Sequence, residues 1–286
     1  MTVKKAIIPA AGFGTRMLPA TKAIPKEMLP LVDKPGIQYI VEEAVASGIQ
    51  DILIIISRGK SPIEDHFDYS PELSDKLRGA GRIADADALD AIADLANITF
   101  LRQKVQRGLG HAVWCARSFT GDEPFGVLLG DDVMAAEKPV LRQLIDASEE
   151  FNASSVSVNA VPLCDISKYC SLDVSPVRER IMDVHGLIEK PSPDEVMSNY
   201  AILGRYVLDG GIHRILETLP AGHGGEIQLT DALDVLCKKH RLLAVDFIGT
   251  RYDTGNLRGY LRAVVELALQ NPEDGEWFRG FINNLR

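Results

Sequence analysis

Residues 5–16 read KAIIPAAGFGTR, an apolar run followed by a glycine turn. The run Lys5 to Pro9 is short and apolar, which is typical of a strand buried on both faces of a sheet. Gly12 and Gly14 let the backbone turn tightly, so that its N–H groups can approach an anion. The turn is not a dinucleotide fingerprint, because position 17 is Met, and it is not a Walker loop, because no Gly-Lys-Ser/Thr follows. We therefore predict an anion-binding turn after a buried first strand.

Beyond this stretch, short apolar runs alternate with amphipathic stretches. The predicted strands are Lys5 to Pro9, Asp51 to Ser57, Ile98 to Leu101, Phe125 to Leu129 and Ser155 to Ala160. The predicted helices lie near Gly36 to Ser47, Pro62 to Phe67, Gly108 to Arg117 and Pro139 to Phe151, with a helical excursion at residues 73–95. This alternation predicts an α/β fold with a Rossmann-like, mostly parallel sheet flanked by helices. Ligands of such sheets bind beyond the carboxyl ends of the strands.

The pattern changes in the second half of the chain. Short β-like pieces with turns, from roughly Pro162 to Tyr206, predict a β-rich insert beside the main sheet. Helical patterns return after Asp209 and include Leu257 to Leu269. The length suits one large domain. We expect a single domain, 1–286, made of a core at 1–160, an insert at 161–208 and a C-terminal part with helices at 209–286.

Composition excludes several classes of protein. The net charge of −9 argues against a general nucleic-acid binder. Four cysteines without a CxxC pair argue against a disulfide framework and favour a reducing compartment. The longest purely aliphatic run, Ile52 to Ile56, is far below the ~18 apolar residues that span a bilayer. We expect a cytoplasmic protein with neither nucleic acid nor membrane as a partner.

Positive charge is nevertheless concentrated around the glycine turn. Six basic and two acidic residues lie between Lys4 and Lys34, a local +4 in an acidic chain. A triphosphate needs such a concentration of positive charge, whereas a solvated face normally mixes signs. A phosphate site is therefore the better interpretation than a surface loop with incidental lysines.

Carboxylates follow a hydrophobic strand in Leu128-Leu129-Gly130-Asp131-Asp132. Mg²⁺ prefers carboxylate oxygens and bridging phosphates, so Asp131 is a candidate metal ligand. Asp132 has an alternative interpretation as the N-cap of a following helix. Asp253 is a second candidate ligand, and its alternative is a plain turn aspartate before a helix.

The sequence also resembles a known family. The stretch Gly12 to Pro30 resembles the signature of sugar-1-phosphate nucleotidyltransferases, and ATKAIPKEMLPLVDKP (20–35) is most similar to the bacterial UTP–glucose-1-phosphate uridylyltransferases. Further matches follow in collinear order: Gly59-Lys60 with residues 63–68, Gly108 to Val113, Ile188 to Pro191, and Gly225 to Ala232. The resemblance covers nearly the whole chain.

This resemblance implies a reaction. UTP and glucose 1-phosphate would give UDP-glucose and pyrophosphate in a single Mg²⁺-dependent, in-line displacement. Residues 1–160 would bind the nucleotide and 161–208 the sugar, and the protein would be a homo-oligomer, a dimer or a tetramer. The C-terminal segment with Trp277 and Phe281 would pack on its own core or on a neighbouring subunit.

The resemblance also implies roles for particular residues. The catalytic cations would be Arg16 and Lys26 on the triphosphate and Lys190 on the sugar phosphate. Nucleotide contacts would come from Ala11, Gly12, Gly14, Glu27, Gln103, Gly108 and Asp132. Sugar contacts would come from Glu189, Lys190 and Cys170, and the Mg²⁺ ligands would be Asp131 and Asp253. His111 is expected to be structural.

One departure from the family pattern concerns the sugar pocket. The family usually has glycine after the tyrosine of a Lys-Tyr-Gly turn, whereas this chain reads Lys168-Tyr169-Cys170-Ser171. A backbone contact would survive the change at some cost in space, but a positive φ would force the loop to adjust.

Three alternatives remain open. The same chemistry with dTTP or another hexose 1-phosphate is one, since a methylene-sized difference gives only ~1–3 kcal/mol of discrimination. A non-catalytic homologue that binds nucleotide sugar and regulates a partner is another. A Rossmann oxidoreductase is the least favoured, because the third glycine of its fingerprint is missing.

Overall fold

The computed structural model describes residues 2–285. Its strands are β1 (Lys5–Pro9), β2 (Pro30–Leu31), β3 (Lys34–Pro35), β4 (Asp51–Ile56), β5 (Asn97–Arg102), β6 (Phe125–Leu128), β7 (Asp132–Ala135), β8 (Ser154–Ala160), β9 (Cys170–Arg178), β10 (Ile181–Glu189), β11 (Tyr200–Leu208), β12 (Leu242–Asp246) and β13 (Thr250–Asp253). Its α-helices are α1 (Gly36–Ala46), α2 (Ser61–Phe67), α3 (Pro71–Gly79), α4 (Ile83–Ala93), α5 (Leu109–Cys115), α6 (Arg117–Thr120), α7 (Val140–Phe151), α8 (Ile212–Thr218), α9 (Leu229–Cys237), α10 (Leu257–Gln270) and α11 (Gly275–Asn283). Short 3₁₀ turns at Thr15–Met17, Ala20–Lys22 and Lys26–Met28 link β1 to β2.

Nine strands form one twisted sheet in the order β5-β4-β1-β6-β11-β8-β12-β10-β9. The four strands from β5 to β6 run parallel. β11 runs antiparallel to both of its neighbours, β6 and β8. β12 is parallel to β8, and β10 and β9 then continue antiparallel. β7 and β13 form a separate antiparallel pair.

The sheet is buried on both faces because its strands carry apolar side chains in both directions. On β1, Ala6 and Ile8 pack into one hydrophobic cluster with α1, α2 and α7. Ile7 points to the opposite face, into a second cluster with α5, α8 and α9. Alternate residues of a strand point to opposite faces, so a continuous apolar run needs a helical layer on each side.

The α/β fold with helices on both faces is confirmed. Each of the five predicted strands and four predicted helices of the first half is present, with boundaries that differ by at most two residues, apart from the division of the Gly108 to Arg117 stretch between α5 and α6. The predicted helical excursion consists of α3 and α4, joined by the ion pair of Arg78 with Asp90.

The sheet is more mixed than the alternation of the first half predicts. The expected β-rich segment contributes β9, β10 and β11 to the main sheet, and β11 lies in its centre. Eight of the nine residues of β11 are buried, which fits a central strand. The division at 160 and 208 stays a prediction.

The C-terminal helices leave apolar side chains exposed. On α10, the residues Leu257, Leu261 and Val265 recur at intervals of four and face outward. On and after α11, Trp277, Phe281 and Leu285 do the same. We call these six residues the C-terminal apolar ridge.

Length and apolar character bear on membrane insertion. Within residues 2–285, every helix is too short or too polar to cross a bilayer.

Candidate active site

The glycine turn lies at the carboxyl end of β1. Gly14 adopts φ = 68°, in the left-handed region that glycine tolerates, and begins the 3₁₀ turn Thr15–Met17. The Thr21 hydroxyl donates to the Gly14 carbonyl oxygen at 2.8 Å. Gln106 Nε2 donates to the carbonyl oxygen of Ala11 at 2.5 Å. The turn is therefore held from two sides and keeps one shape.

Three charged side chains meet beside this turn. Lys26 Nζ lies 2.5 Å from Asp131 Oδ2, and Arg16 Nη2 lies 3.5 Å from the same oxygen. Burial raises the pKa of Asp131, but the attraction and hydrogen bond of Lys26, together with the charges of Arg16 and Arg251, leave that pKa below its ordinary value. Burial lowers the pKa of Lys26, but Asp131 and Glu27 together raise it by more, so the pKa lies above its ordinary value. Both groups are therefore charged at neutral pH.

Asp253 joins this centre through the small sheet of β7 and β13. It lies opposite Asp132 in the antiparallel register. A Cβ atom added to Gly255 would clash with Asp131 Oδ2 and lie 2.7 Å from Arg16 Nη2 and 3.1 Å from Asp253 Oδ1. The two carboxylates therefore face one small space, which glycine leaves open. Asp253 Oδ1 also accepts a hydrogen bond from the Gly255 N–H at 3.0 Å. Asp253 therefore also stabilises the turn before α10, which was its alternative interpretation.

The oxygen donors of this space fit a magnesium ion. Asp131 is ionised, and carboxylate oxygens are the ligands that Mg²⁺ prefers. Residues 2–285 hold no group of three or more His, Cys, Asp or Glu side chains that could bind a metal by themselves. A site with only two carboxylates is consistent with Mg²⁺, which is commonly held by one or two carboxylates together with substrate phosphates.

A cavity of about 400 Å³ opens beyond the glycine turn. It is lined among others by Gly12, Gln103, Gln106, Gly108, Asp131 and Glu226.

Gln103 is 4% exposed, and its Nε2 lies 2.8 Å from His111 Nδ1. Burial, and then the charge of Arg107, lower the pKa of His111, so its neutral ring can accept this hydrogen bond. The bond leaves Gln103 Oε1 as the free group. His111 thus has the structural role expected of it, and the residue it orients lies in the cavity.

Close packing against the backbone requires glycine at positions 108 and 110, which the sequence alone did not reveal. A Cβ atom on Gly108 would lie 2.7 Å from the Ile227 carbonyl oxygen, and one on Gly110 would lie 2.8 Å from the same oxygen. Gly108 also has φ = 99°. The space that a side chain at either position would need is therefore filled by Ile227 and its neighbours. In the segment 222–228, Glu226 lines the first cavity, and Gln228 lines a second one.

The second cavity has a volume of about 160 Å³. Its lining includes Asp132, Tyr169, Cys170, Glu189, Thr230 and Arg251, and it shares Leu109 and Leu129 with the first cavity. Glu189 accepts a hydrogen bond from the Thr230 hydroxyl at 2.7 Å. Lys190 lies next to Glu189, with Nζ 4.0 Å from its carboxylate and a side chain 44% exposed. Lys190 adopts φ = 48°, an uncommon conformation for lysine.

The backbone at Cys170 answers the question raised by the missing glycine. Cys170 begins β9 and pairs with Glu189, and its φ is not positive. Cysteine therefore adopts this conformation without strain. Burial, and then the charge of Glu189, raise the pKa of the Cys170 thiol, so it is an un-ionised, space-filling group.

Two cations of the site were missed in the sequence. Arg251 donates from Nε to Asp132 Oδ1 at 2.8 Å and lies 5.5 Å from the centre of the Tyr169 ring. Its place two residues before Asp253, on the same face of a strand, was the available signal. Asp132 begins β7, so its alternative as a helix N-cap is wrong. Burial raises the pKa of Asp132 to about 6 although Arg251 opposes the shift.

Lys60 is the second missed cation. Its Nζ lies 2.6 Å from Glu27 Oε2, and Glu27 is 2% exposed. The other oxygen of Glu27 has no hydrogen-bond partner within residues 2–285. This buried pair lies under the turn that carries Lys26. Glu27 is outside the lining of the first cavity, and its expected nucleotide contact stays a prediction.

Comparison with known proteins agrees with this geometry. Residues 5–270 match the sequence model of the family described as nucleotidyl transferase, and the chain belongs to that family. Members of the family generally use a divalent metal ion.

The similar proteins carry names that refer to UTP or to UDP-glucose. A UTP–glucose-1-phosphate uridylyltransferase of Bacillus subtilis (strain 168), YngB, is 54% identical over 95% of this chain and 91% of its own. A UTP-bound UGPase from Acinetobacter baumannii superposes with a TM-score of 0.91 at 37% identity, over 100% of both chains. A UDP-glucose pyrophosphorylase complexed with UDP-glucose superposes with a TM-score of 0.86 at 37% identity, over 94% of this chain and 100% of that chain.

Proposed function

We propose that this chain is a UTP–glucose-1-phosphate uridylyltransferase, which joins UTP to glucose 1-phosphate and releases pyrophosphate. The observation that carries the proposal is that two cavities adjoin at Leu109 and Leu129, and that Asp131, which Lys26 and Arg16 contact, lines the larger one. The larger cavity suits a nucleotide and the smaller one a hexose. The relatives named above carry out, or bind the ligands of, this reaction.

The nucleotide is bound in the larger cavity. Gln103 presents Oε1, an acceptor for the N3–H of uracil, because its amide nitrogen is engaged by His111. The backbone of Ala11, Gly12 and Gly14 supplies N–H groups to the phosphates, as glycine turns after a strand do.

The sugar phosphate is bound on the other side. Glu189 lines the smaller cavity and accepts hydrogen bonds from sugar hydroxyls, as it does from Thr230. Lys190, at the exposed rim, neutralises the phosphate. Cys170 fills the wall of the pocket.

The reaction is a single displacement. A phosphate oxygen of glucose 1-phosphate bonds to the α-phosphorus of UTP as the bond to the β-phosphate oxygen breaks, and the electron pair leaves with pyrophosphate. Such transfers need positioning and charge neutralisation more than covalent help from the protein. Arg16 and Lys26 hold the triphosphate and the charge that develops on pyrophosphate. Bound Mg²⁺, held by Asp131 and Asp253, would add a second source of positive charge between the phosphates.

The assay is pyrophosphate release with UTP, glucose 1-phosphate and Mg²⁺. We expect turnover that falls to background when either substrate or Mg²⁺ is omitted, and a lower kcat/KM with dTTP or galactose 1-phosphate. A higher kcat/KM with either alternative would reassign the substrate. No turnover with any pair, despite binding of UDP-glucose, would favour a non-catalytic regulatory homologue.

We also propose that the chain is a homo-oligomer in the cytoplasm, where UTP is available. The C-terminal apolar ridge would be covered by the same ridge of a second copy, since two rows of three apolar residues are complementary to themselves in a two-fold interface. Light scattering after size exclusion tests this. We expect Trp277→Glu to lower the mass to that of one chain, and an unchanged mass would contradict this choice of interface.

A further inference from the structure

A separate cavity of about 530 Å³ lies near the middle of the sheet, at the ends of the strands opposite to the charged centre. It is lined by Ser154, which begins β8, and by Asp209, which follows the last residue of β11. Leu208 of β11 pairs with Phe125, the first residue of β6, whereas Asp131 follows the far end of β6. This cavity is therefore not part of the catalytic cleft.

Its rim is strongly basic. Arg214, Lys239, His240 and Arg241 line it, against one acidic residue, Asp209. Three of them belong to the run Lys238-Lys239-His240-Arg241, in a chain of net charge −9. We call this cavity, with these four side chains, the basic cavity.

The four side chains differ in how far their charge is compensated. Arg241 is paired with Asp183, to whose Oδ1 its Nε donates at 2.7 Å. The side chains of Lys239 and His240 have no ion pair or hydrogen bond within residues 2–285. Arg214 has a single, solvent-exposed contact of 3.4 Å with Asp122. The Asp209 carboxylate is turned to the Gly211 N–H, from which it accepts at 2.8 Å.

The inner wall combines a hydroxyl with apolar groups. Ser154 is 4% exposed and accepts the Asp209 N–H at 3.0 Å, and its own O–H has no acceptor within the described residues. Buried Leu236 and half-buried Ile215 lie beside it. The hydroxyl offers a ligand one donor, and the apolar side chains offer a surface for carbon atoms.

We propose that the basic cavity binds a small phosphorylated metabolite, separately from the substrates of the reaction. Lys239, which has no partner within residues 2–285, and Arg214, whose one contact is long and exposed, can bind a phosphate through charge-assisted hydrogen bonds. The volume is in the range of small-molecule sites, ~300–1,000 Å³. A concave site with an apolar wall suits a phosphate ester of an organic molecule better than a nucleic acid, which needs a broad basic surface.

Calorimetry tests the proposal with glucose 6-phosphate as the probe. The protein is first saturated with UDP-glucose, so that the catalytic cleft is filled. We expect one binding event per chain with a Kd below ~1 mM, a modest affinity. Inorganic phosphate, which cannot use the apolar wall, should bind more weakly.

A pair of charge variants locates the site. The double substitution Arg214→Glu and Lys239→Glu should raise the Kd for glucose 6-phosphate at least about tenfold, because two charge-assisted contacts are lost. The matched control, Lys76→Glu with Arg82→Glu, makes the same change of charge at exposed positions on or next to α3 and α4 and should leave binding unchanged.

Two results would overturn the proposal. One is the absence of probe binding to the UDP-glucose complex, and the other is an equal loss in the control variant. Failure of UDP-glucose itself to bind would count against the proposed function instead. In that case the comparison of the two variants with the unchanged protein still decides the basic cavity.

Discussion

Asp131 is the residue on which the charged centre depends. Asp131→Asn keeps the shape of the side chain but leaves Lys26 without its counter-ion and removes an anionic metal ligand. We expect turnover to fall by ~10²–10³, as when one preorganised charge-stabilising group is lost. Pyrophosphate release measures the effect, and thermal unfolding checks that the variant stays folded. Turnover close to that of the unchanged protein would remove Asp131 from the metal site.

In the proposed nucleotide site, His111 acts through Gln103, to which it is hydrogen-bonded. His111→Ala removes the acceptor of the Gln103 amide, so the amide is free to rotate. We expect KM for UTP to rise about fivefold, the equivalent of one net hydrogen bond, with little change in kcat. In the Gln103→Ala background the same substitution should have no further effect. An additive loss would mean that His111 acts independently of Gln103.

The sequence predicted the members of this site that carry their signal locally. Asp131 follows an apolar strand, and positive charge is concentrated around the glycine turn, so position and composition indicated a phosphate and metal site. The choice of Arg16 and Lys26 came from the family resemblance. Arg251 and Lys60 were not predicted as site residues, because each is paired with a carboxylate that is distant in the sequence. Only the folded chain brings those partners together.

At the scale of elements, the 3₁₀ turn Lys26–Met28 depends on a lysine from the loop after β4. Lys60→Met would leave Glu27 buried without a counter-ion. We expect a loss of about 3 kcal/mol in the free energy of unfolding, typical of a buried pair with one partner removed. Urea denaturation measures it. As a matched control, Lys34→Met breaks the more exposed pair with Glu42 and should cost less than ~1 kcal/mol. Equal losses in the two variants would contradict the special role of Lys60.

Elements differed in how well their sequences revealed them. β1 and β4 are continuous apolar runs, whose period and length indicate buried parallel strands. β11 is almost entirely buried although it contains Arg205, yet its place between β6 and β8 depends on pairings with residues about 40 to 80 positions away. No local pattern encodes such a pairing, so the segment was assigned to an insert.

At the scale of the whole molecule, His213 makes stability depend on pH. It stacks on Phe125 with ring centres 5.3 Å apart and lies 2.7 Å from the Thr120 hydroxyl. Burial lowers its pKa from 6.5 to about 4. The unfolded chain therefore takes up a proton near pH 6.5, and the folded chain only near pH 4. The contribution to stability is complete above pH 6.5 and is lost as the pH falls toward 4.

Urea denaturation at pH 7 and at pH 4.5 tests this. We expect the unchanged protein to lose about 1–2 kcal/mol more than His213→Gln between these values, after allowance for the partial exposure of the ring. An identical loss in both proteins would mean that His213 does not contribute to the acid sensitivity.

Residues of the segment 222–228 line both of the cavities proposed to bind the substrates. Glu226 lines the larger cavity and Gln228 the smaller one, and Ile227 is wedged against the glycines of the neighbouring helix. If the first substrate to bind displaces this segment, it also changes the shape of the cavity that binds the second substrate. We therefore expect the two substrates to bind cooperatively rather than independently, because one short segment supplies side chains to both sites.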